Sequence, residues 1–531
     1  TVEIISHGSP GCLYLGNTRL SLDTLKQYAP QLQLWDISNL VLYGCYVAAG
    51  DAGEEFIDKL HQLTGAEIAA SKSLTGAVVK GGNWELEVRT SQRKPSLALQ
   101  VETMASYPDT LNLQLEWAKQ IGGRSPDYAD SITTDSSDNV LVGGYYRGSI
   151  DIDGDGSNDL TGNSGEHGYI AKFDSDGNFI WVKNIGNNPF ITTDSSDNIL
   201  VRGYYRSNID IDGDGSNDLT SVSRRDGYVA KLDSNGNLIW AKKMALHRDE
   251  AYSITTDSNN NVLVVGIFEG NIDIDGDGSD DLTSDGERDG YVAKFDSNSN
   301  LIWTKNVGNE IYSITTDSNN NVLVVGIFEG NIDIDEDGSD DLTSNGGENG
   351  YVAKFDSDGN LIWAKNIGYN DGSNKTSKGK NITTDSSDNV LLAGRFQGNI
   401  DIDGDGSNDL TSNGDNGKSD GYVAKFDSNG NLIWTKNIGG WNTDYVDTIT
   451  IDSSDNVLVS GYSHSSYIDI DGDGNDDLTS IRGDYTAKIN SDGNLVWAKR
   501  IGGSAGGEQD ITTDSNDNVL VTGWFSGNIN I

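Results

Sequence analysis

A repeated acidic segment dominates this chain and limits the folds that it can adopt. The nine-residue pattern D-x-D-x-D-G-x-x-D begins at six positions, spaced 59 to 68 residues apart: Asp151, Asp210, Asp273, Asp333, Asp401 and Asp469. A chain that returns to one segment at a nearly constant interval predicts an array of similar units. Each unit must bury its apolar surface against its neighbours, because a single unit is too small to form a core.

Each unit predicts four short strands separated by turns. The first strand reads I-T-T-D, and the second reads V-L-V-x-G and precedes the acidic segment. The third strand reads Y-x-A-K, and the fourth carries W-x-K. These segments are rich in β-branched and aromatic residues and are bounded by Gly, Asn and Asp, which is typical of strands and tight turns.

The number of units predicts a seven-bladed β-propeller. Four-stranded units that repeat about seven times are typical of this fold. Seven first strands and seven Trp segments occur, from Trp117 to Trp497, but only six third strands and six complete acidic segments. We therefore expect a mainly β chain whose last blade is incomplete. The Trp117 segment would join the final unit, Ile511 to Ile531, where Asn530 would begin a seventh loop.

The strands resemble a known repeat. The segments D-S-x-x-N-V-L-V-x-G and G-Y-V-A-K-F-D-S-x-G-N-L-I-W are similar to the SBBP β-propeller repeat of bacterial secreted proteins. The acidic segments resemble the calcium loops of integrin-type propeller blades. These resemblances imply a bacterial protein that is extracellular or located at the cell surface.

The acidic segments predict about six Ca²⁺ sites. Carboxylates at positions 1, 3, 5 and 9 and the main-chain carbonyl of position 7 would form an oxygen cage, and Gly at position 6 would permit the sharp turn. Glu336, at position 4 of the fourth loop, is expected not to bind. The expected ligands are Asp151, Asp153, Asp155, Ser157, Asp159, Asp210, Asp212, Asp214, Ser216, Asp218, Asp273, Asp275, Asp277, Ser279, Asp281, Asp333, Asp335, Asp337, Ser339, Asp341, Asp401, Asp403, Asp405, Ser407, Asp409, Asp469, Asp471, Asp473, Asn475 and Asp477. The alternative is a set of hydrated Asp-Gly turns.

The charge of the chain excludes several classes of function. There are 82 Asp and Glu residues against 37 Lys and Arg residues, a formal net charge of −45. No basic stripe interrupts this acidity, so we expect no nucleic-acid partner. No apolar run is long enough to span a bilayer. Two cysteines, Cys12 and Cys45, cannot form a disulfide framework.

A variable position follows the second strand. In the pattern G-x-(Tyr/Phe), position x is filled by Tyr145, Tyr204, Ile267, Ile327, Arg395, Tyr462 and Trp524. Variation beside an acidic loop suggests a rim that is exposed to partners. An exposed aromatic ring here could stack on a sugar or bind a protein, while packing of a half-buried ring is the alternative.

The first 90 residues predict a different domain. Apolar strands at 2–6 and 40–44 alternate with helical patterns at 22–35 and 52–63 and precede a strand at 66–70. This alternation predicts a parallel α/β sheet, in which His7 and Cys45 would lie at the carboxyl ends of strands. Residues 91–112 are predicted to form a linker, and residues 113–531 are predicted to form the propeller.

The I-I-S-H-G and L-Y-G-C segments resemble two families. One is the caspase- and gingipain-like cysteine peptidases of clan CD, and the other is an uncharacterised bacterial domain that is common in cyanobacterial surface proteins. The peptidase resemblance implies Cys45 as the nucleophile, His7 as the base and the main-chain N–H of Gly8 as an oxyanion donor. Two further strands precede the His strand in that clan, so we expect an N-terminally truncated domain. The alternative is a structural domain with a buried thiol.

Two functions from different classes follow. The first is a calcium-loaded, monomeric propeller that binds a protein or glycan partner or a matrix outside the cell. The second is a cysteine peptidase that uses the propeller as a targeting module and whose substrate could include its own chain. A surface array without a ligand is a third hypothesis.

Overall fold

The computed structural model divides the chain into two compact units, residues 1–116 and 117–531. It describes residues 1–6, 8–9, 11–15, 18–22, 24–35, 37–73, 75–76, 83–91, 104, 115–123, 127–221, 225–244, 250–284, 288–344, 347–369, 375–414, 417–479, 482–501 and 509–524. His7, most of the predicted linker and Asn530 lie outside these residues. Each unit is described by itself.

The first unit is an α/β domain. Its elements are β1 (Val2–Ile5), β2 (Gly8–Ser9), β3 (Cys12–Leu15), β4 (Thr18–Ser21), α1 (Leu25–Leu32), β5 (Asn39–Tyr43), α2 (Gly50–Thr64), β6 (Glu67–Ala70) and β7 (Val88–Arg89). The sheet order is β1-β5-β6-β7, with β1, β5 and β6 parallel and β7 antiparallel to β6. Strands β2, β3 and β4 form a separate antiparallel sheet, which the sequence analysis did not predict.

The parallel sheet is buried on both faces because the side chains of β5 alternate between two apolar clusters. Leu40 and Leu42 pack with residues of both helices, including Leu25 and Phe56. Val41 and its neighbours on the other face pack with Ala69, Leu86 and Trp84. This layered arrangement agrees with the predicted parallel α/β domain.

Among its described residues, the second unit contains six antiparallel blades of four main strands each, and the sheet of blade 1 has a further short strand, Gly122–Gly123. Their strands, in order, are Tyr128–Thr134, Val140–Asp151, Leu160–Phe173 and Phe179–Ile185 in blade 1; Asn187–Thr193, Ile199–Tyr205, Asp226–Leu232 and Leu238–Lys243 in blade 2; Glu250–Thr256, Val262–Phe268, Asp289–Phe295 and Leu301–Asn306 in blade 3; Glu310–Thr316, Val322–Phe328, Asn349–Phe355 and Leu361–Ile367 in blade 4; Lys378–Thr384, Val390–Gln397, Ser419–Phe426 and Leu432–Ile438 in blade 5; and Asp444–Ile451, Val457–Ser463, Gly483–Ile489 and Leu495–Arg500 in blade 6.

The prediction of seven blades is wrong. After blade 6, the described residues form only a two-stranded sheet, Asp510–Thr513 with Val519–Thr522. Residues 115–121, around Trp117, form no strand, because a fourth strand pairs with a third strand and this sheet has none among the described residues. Trp117 still donates a hydrogen bond from Nε1 to the Ser175 carbonyl at 3.0 Å. Four tryptophans make the same contact with the following blade: Trp240, Trp303, Trp363 and Trp434.

The two-stranded sheet lies between blade 6 and blade 1 and closes a ring. In each unit, the Ser after I-T-T-D donates to an Asp or Asn in the next unit, at the turn position with a left-handed φ near 60°. Asp and Asn tolerate this conformation better than most residues. The seven links are Ser136 to Asp197, Ser195 to Asn260, Ser258 to Asn320, Ser318 to Asp388, Ser386 to Asp455, Ser453 to Asp517 and Ser515 to Asp138.

A buried ion pair recurs in every complete blade. The Lys of the third strand binds the Asp that ends I-T-T-D, as in Lys354 and Asp317 at 2.8 Å, whose side chains are 5% and 1% exposed. The other pairs are Lys172–Asp135, Lys231–Asp194, Lys294–Asp257, Lys425–Asp385 and Lys488–Asp452. The Lys354 ammonium also donates to the Ser428 carbonyl of the next blade at 3.2 Å. The pair therefore stabilises both the blade and its junction with the next.

Other carboxylates are buried without a cation beside them. Asp420, in the third strand of blade 5, is fully buried, and its Oδ1 atom makes no hydrogen bond with the described residues. Its Oδ2 atom accepts hydrogen bonds from Asn413 N and Asn437 Nδ2. Burial, followed by the charge of Asp444, raises the pKa of Asp420 to about 7. In blade 4 the neutral residue Asn349 occupies the position that Asp420 has in blade 5. Asn349 pairs with Phe328 of its second strand, and Asp420 pairs with Phe396 of its own.

We predict that Lys354→Met lowers the free energy of unfolding by about 3–5 kcal/mol, because Asp317 is left buried and charged. The double variant with Asp317→Asn should lose much less, since neither charge remains. Lys418→Met, at an exposed lysine, is the matched control. Chemical denaturation measures all three. A single variant as stable as the control would contradict a stabilising role for the pair.

We predict that Asp420→Asn stabilises the protein at pH 8. The folded-state pKa of Asp420 lies above its ordinary value of 3.8. Below pH 4 the carboxyl is therefore protonated in both states and does not destabilise the folded protein. As the pH rises toward 7 its destabilising free energy grows, and above pH 7 it reaches its full value. The gain at pH 8 is at most about 4 kcal/mol and should vanish at pH 4. Thermal unfolding against pH measures it, with Asp358→Asn, at an exposed turn, as control; a gain independent of pH would contradict the assignment.

Candidate functional site

Each acidic loop is held at the end of a short two-stranded ribbon between the second and third strands of its blade. The Ile before the loop pairs with the Leu after it: Ile150–Leu160, Ile209–Leu219, Ile272–Leu282, Ile332–Leu342, Ile400–Leu410 and Ile468–Leu478. The Ile at loop position 2 is fully buried in every copy, as Ile274 is in the third. Apolar anchors on both sides therefore fix the polar loop.

Main-chain N–H groups orient the carboxylates, as the third loop shows. Asp273 accepts hydrogen bonds from Gly276 N at 2.7 Å and from Gly278 N at 2.9 Å. Asp281 accepts one from Ile274 N at 2.7 Å. The glycines at positions 4 and 6 have φ of 78° and 93°, a left-handed conformation that favours glycine. In the fourth loop Glu336 adopts φ 63° at position 4, so this copy is strained.

Three of the expected ligands converge. In the first five loops, carboxylate oxygens of positions 1, 3 and 9 lie within 4.8 Å of one another, as for Asp273, Asp275 and Asp281. Position 5 is not part of this cluster. Asp277 instead accepts hydrogen bonds from the amide and hydroxyl of Ser279, which lower its pKa. The structure therefore brings together three carboxylates per loop, while positions 5 and 7 bind each other.

Like charges and burial act together on the cluster. In the sixth loop, burial raises the pKa of Asp477 to about 6, and the charges of Asp471, Asp469 and Asp473 add to this shift. Burial also raises the pKa of Asp469 in that loop and of Asp409 in the fifth. A divalent cation would relieve the repulsion among these oxygens, and carboxylate oxygens are the donors that Ca²⁺ prefers.

The loops also touch the preceding blade. Lys183 and Lys242, from the fourth strands of blades 1 and 2, donate to the position-3 carbonyls Asp212 and Asp275 at 3.1 and 2.7 Å. In blade 5, Asp401 exchanges main-chain hydrogen bonds with Gly368, which follows the fourth strand of blade 4. The loops are therefore part of the junctions between blades.

A cavity of about 430 Å³ opens where the first strands begin and the second strands end. This cavity, called the mouth cavity below, has four aromatic lining residues from blade 1, blade 2 and the two-stranded sheet: Tyr128, Tyr145, Tyr204 and Trp524. The rings of Tyr128 and Tyr145 stack at 4.5 Å, and Trp524 meets Tyr128 edge-on at 5.8 Å.

Polar side chains complete the lining: Asp130, Glu166, Asn187, Asn188 and Arg225. The Arg225 guanidinium lies 3.9 Å above the Tyr204 ring. Glu166 forms an ion pair with Arg147 at 2.6 Å, which keeps its pKa below the usual range. Asn188 adopts φ 52°, an uncommon conformation for a residue other than glycine.

Part of this cavity could be predicted from the sequence. Tyr145, Tyr204 and Trp524 occupy the variable position x that was predicted to face partners. Ile267 and Ile327 occupy the same position in blades 3 and 4 but are 1% and 3% exposed, and Tyr204 is only 9% exposed, so the predicted exposure does not hold around the whole ring. The remaining lining residues lie outside the repeated motifs and come together only in the ring.

The first unit brings its two short motifs side by side. A Cβ atom at Gly8 would lie 2.8 Å from the Gly44 carbonyl carbon and 2.9 Å from the Cys45 carbonyl oxygen, so only glycine fits. Cys45 is fully buried, and its Sγ accepts a hydrogen bond from Thr75 N at 3.1 Å. A fully buried thiol is not accessible to a substrate. The catalytic assignment of His7 is untested, because this residue lies outside the described residues.

Comparison with known families supports the propeller repeat. Residues 116–145 match the family described as "Beta-propeller repeat" (SBBP), and residues 1–111 match a domain of unknown function (DUF4347). The latter match does not show a caspase-like domain. None of the helices among the described residues is both long and apolar enough to cross a membrane.

Individual relatives are distant. The chain is 24% identical over 498 residues to an uncharacterized WD repeat-containing protein of Acanthamoeba polyphaga mimivirus, which covers 77% of this chain and 36% of that protein. Virginiamycin B lyase from Staphylococcus aureus is similar with a TM-score of 0.38, 10% identity and coverage of 74% and 94% of the two chains. A protein of unknown function from Bacteroides caccae has a TM-score of 0.33, 11% identity and coverage of 62% and 89%. Residues 116–145 therefore match one SBBP-type repeat, and the blades described above arrange the second unit as a mainly β propeller.

Proposed function

We propose that this chain is a calcium-binding β-propeller of the bacterial cell surface or exterior that binds a protein or glycan partner. The convergence of three carboxylates at the same positions in successive loops supports the calcium part. Hydrated Asp-Gly turns would not require this convergence. With the Asp clusters placed at blade junctions, bound Ca²⁺ would stabilise the ring as well as the loops.

The partner part rests on the propeller scaffold and the mouth cavity. A rigid ring that presents variable side chains at repeated positions is suited to recognition. The location outside the cell follows from the repeat resemblance and from the need for abundant free Ca²⁺. A peptidase function gains no comparable support, because the Cys45 thiol is buried.

We predict that Ca²⁺ raises the melting temperature of chelator-treated protein by several degrees, and that Mg²⁺ does so much less because it demands a tighter octahedron. Each filled site stabilises the folded state by roughly 2.7 kcal/mol when free Ca²⁺ is a hundredfold above Kd. Differential scanning calorimetry measures the shift. An unchanged melting temperature in EDTA and in Ca²⁺ would contradict the calcium assignment.

We predict that Asp281→Asn removes one Ca²⁺ from the stoichiometry measured by isothermal titration calorimetry. The Asn oxygen still accepts the hydrogen bond from Ile274 N, so the loss would come from the missing charge. Asp280→Asn is the matched control, because exposed Asp280 at position 8 is outside the cluster and bonds Asn271. Equal stoichiometry in the two variants would contradict the ligand assignment.

A further inference from the structure

We propose that the mouth cavity is a binding site for a neutral saccharide. This inference rests on the proposed function and deepens it, since it names the class of partner and the residues that contact it. A volume of about 430 Å³ falls within the range of small-molecule sites, about 300 to 1,000 Å³.

The aromatic lining provides flat apolar surfaces. The C–H bonds of a pyranose ring carry partial positive charge, and the faces of aromatic rings carry partial negative charge, so the two attract each other. Tyr128 and Tyr145 are held in place by stacking on each other with an interplanar angle of 18°. Trp524 is fixed edge-on to Tyr128. The rings are therefore positioned before a ligand arrives, which lowers the entropic cost of binding.

The polar lining provides planar groups that match pairs of hydroxyls. The amides of Asn187 and Asn188 offer both donors and acceptors, and Asp130 offers acceptors. The Arg225 guanidinium lies 3.9 Å from the centre of the Tyr204 ring and offers N–H donors. Vicinal hydroxyls both donate and accept, so they suit this mixture of groups.

The charge balance of the cavity favours a neutral ligand. An anionic ligand would meet Asp130 and Glu166, within a chain of net charge −45. A cationic ligand would meet Arg225, and one of the two carboxylates, Glu166, is already paired with Arg147. A hydroxyl-rich, uncharged ligand avoids both conflicts.

Position x differs around the ring. Blades 3 and 4 fill it with buried isoleucines, so no aromatic ring is available for stacking at that position in those blades. Tyr462 in blade 6 stacks on Tyr445 at 6.0 Å, as Tyr145 does on Tyr128, but it does not line the cavity. Blade 6 therefore offers a matched position at which an aromatic residue can be removed without touching the site.

The test is calorimetric titration of the full chain in Ca²⁺ with maltose, cellobiose and N,N′-diacetylchitobiose. Galacturonate and tetramethylammonium serve as anionic and cationic probes. We expect at least one neutral disaccharide to bind with one site per chain. Tyr145→Ala and Asn188→Gly should each weaken binding about tenfold, which corresponds to about 1.4 kcal/mol. Tyr462→Ala should bind like the wild type, and the melting temperatures of the variants show whether each one folds.

Several outcomes would overturn the inference. These are binding of none of the three disaccharides, binding only of galacturonate or only of tetramethylammonium, or equal weakening by Tyr462→Ala and Tyr145→Ala. Ca²⁺ uptake is measured in the same samples. Ca²⁺ uptake without saccharide binding would refute the saccharide site and leave the calcium proposal standing. Saccharide binding without Ca²⁺ uptake would refute the calcium proposal and leave the saccharide site standing.

Discussion

The burial of each blade against its two neighbours is the constraint on which the propeller depends. A four-stranded sheet of this size has two apolar faces and cannot cover either by itself. The apolar clusters accordingly draw on consecutive blades: Val325 and Val352 of blade 4 pack with Leu392 and Phe396 of blade 5. The Lys–Asp pairs, the Trp contacts and the seven Ser links all lie at or beside these same junctions. Cohesion of the ring is thus the sum of nearest-neighbour contacts.

The burial of each blade against its neighbours also explains where the acidic loops lie. Several loops extend from one blade and contact the fourth strand of the preceding blade or the residue after it, as Asp275 does with Lys242 and Asp401 with Gly368. Three carboxylates placed close together repel one another, and a bound divalent cation would relieve that repulsion. Calcium would therefore couple the state of the loops to the packing of the blades. The mouth cavity depends on the same packing, because its lining comes from blade 1, blade 2 and the two-stranded sheet.

Local features of this fold could be predicted from the sequence, and features that depend on pairing could not. The strand order within a blade, the turn positions and the placement of each loop between second and third strands follow from short motifs that recur in register. The number of complete blades does not follow from such motifs, because the Trp117 segment becomes a strand only if a third strand is available to pair with it. The sheet of β2, β3 and β4 lacks a strong alternation and was missed for a similar reason.

The candidate sites also combine features that could be predicted from the sequence with features that could not. Positions 1, 3 and 9 of the loops converge as expected, but Asp277 at position 5 bonds Ser279 instead, a choice that depends on side-chain geometry. Tyr145 and Trp524 could be identified from their variable position, whereas Asp130 and Arg225 carry no motif. In the first unit, Gly8 and Cys45 lie side by side, and the thiol is fully buried, as in the alternative of a structural domain; the sequence alone could not decide between that alternative and a peptidase.

We propose that the loops bind calcium at the junctions between blades. A count of Ca²⁺ bound per chain by equilibrium dialysis after chelator treatment tests it most directly. The account predicts about six ions per chain, taken up together with greater hydrogen-exchange protection of the fourth strands that contact the loops. Binding of no Ca²⁺ at millimolar concentration, or binding that leaves the protection of those strands unchanged, would contradict it.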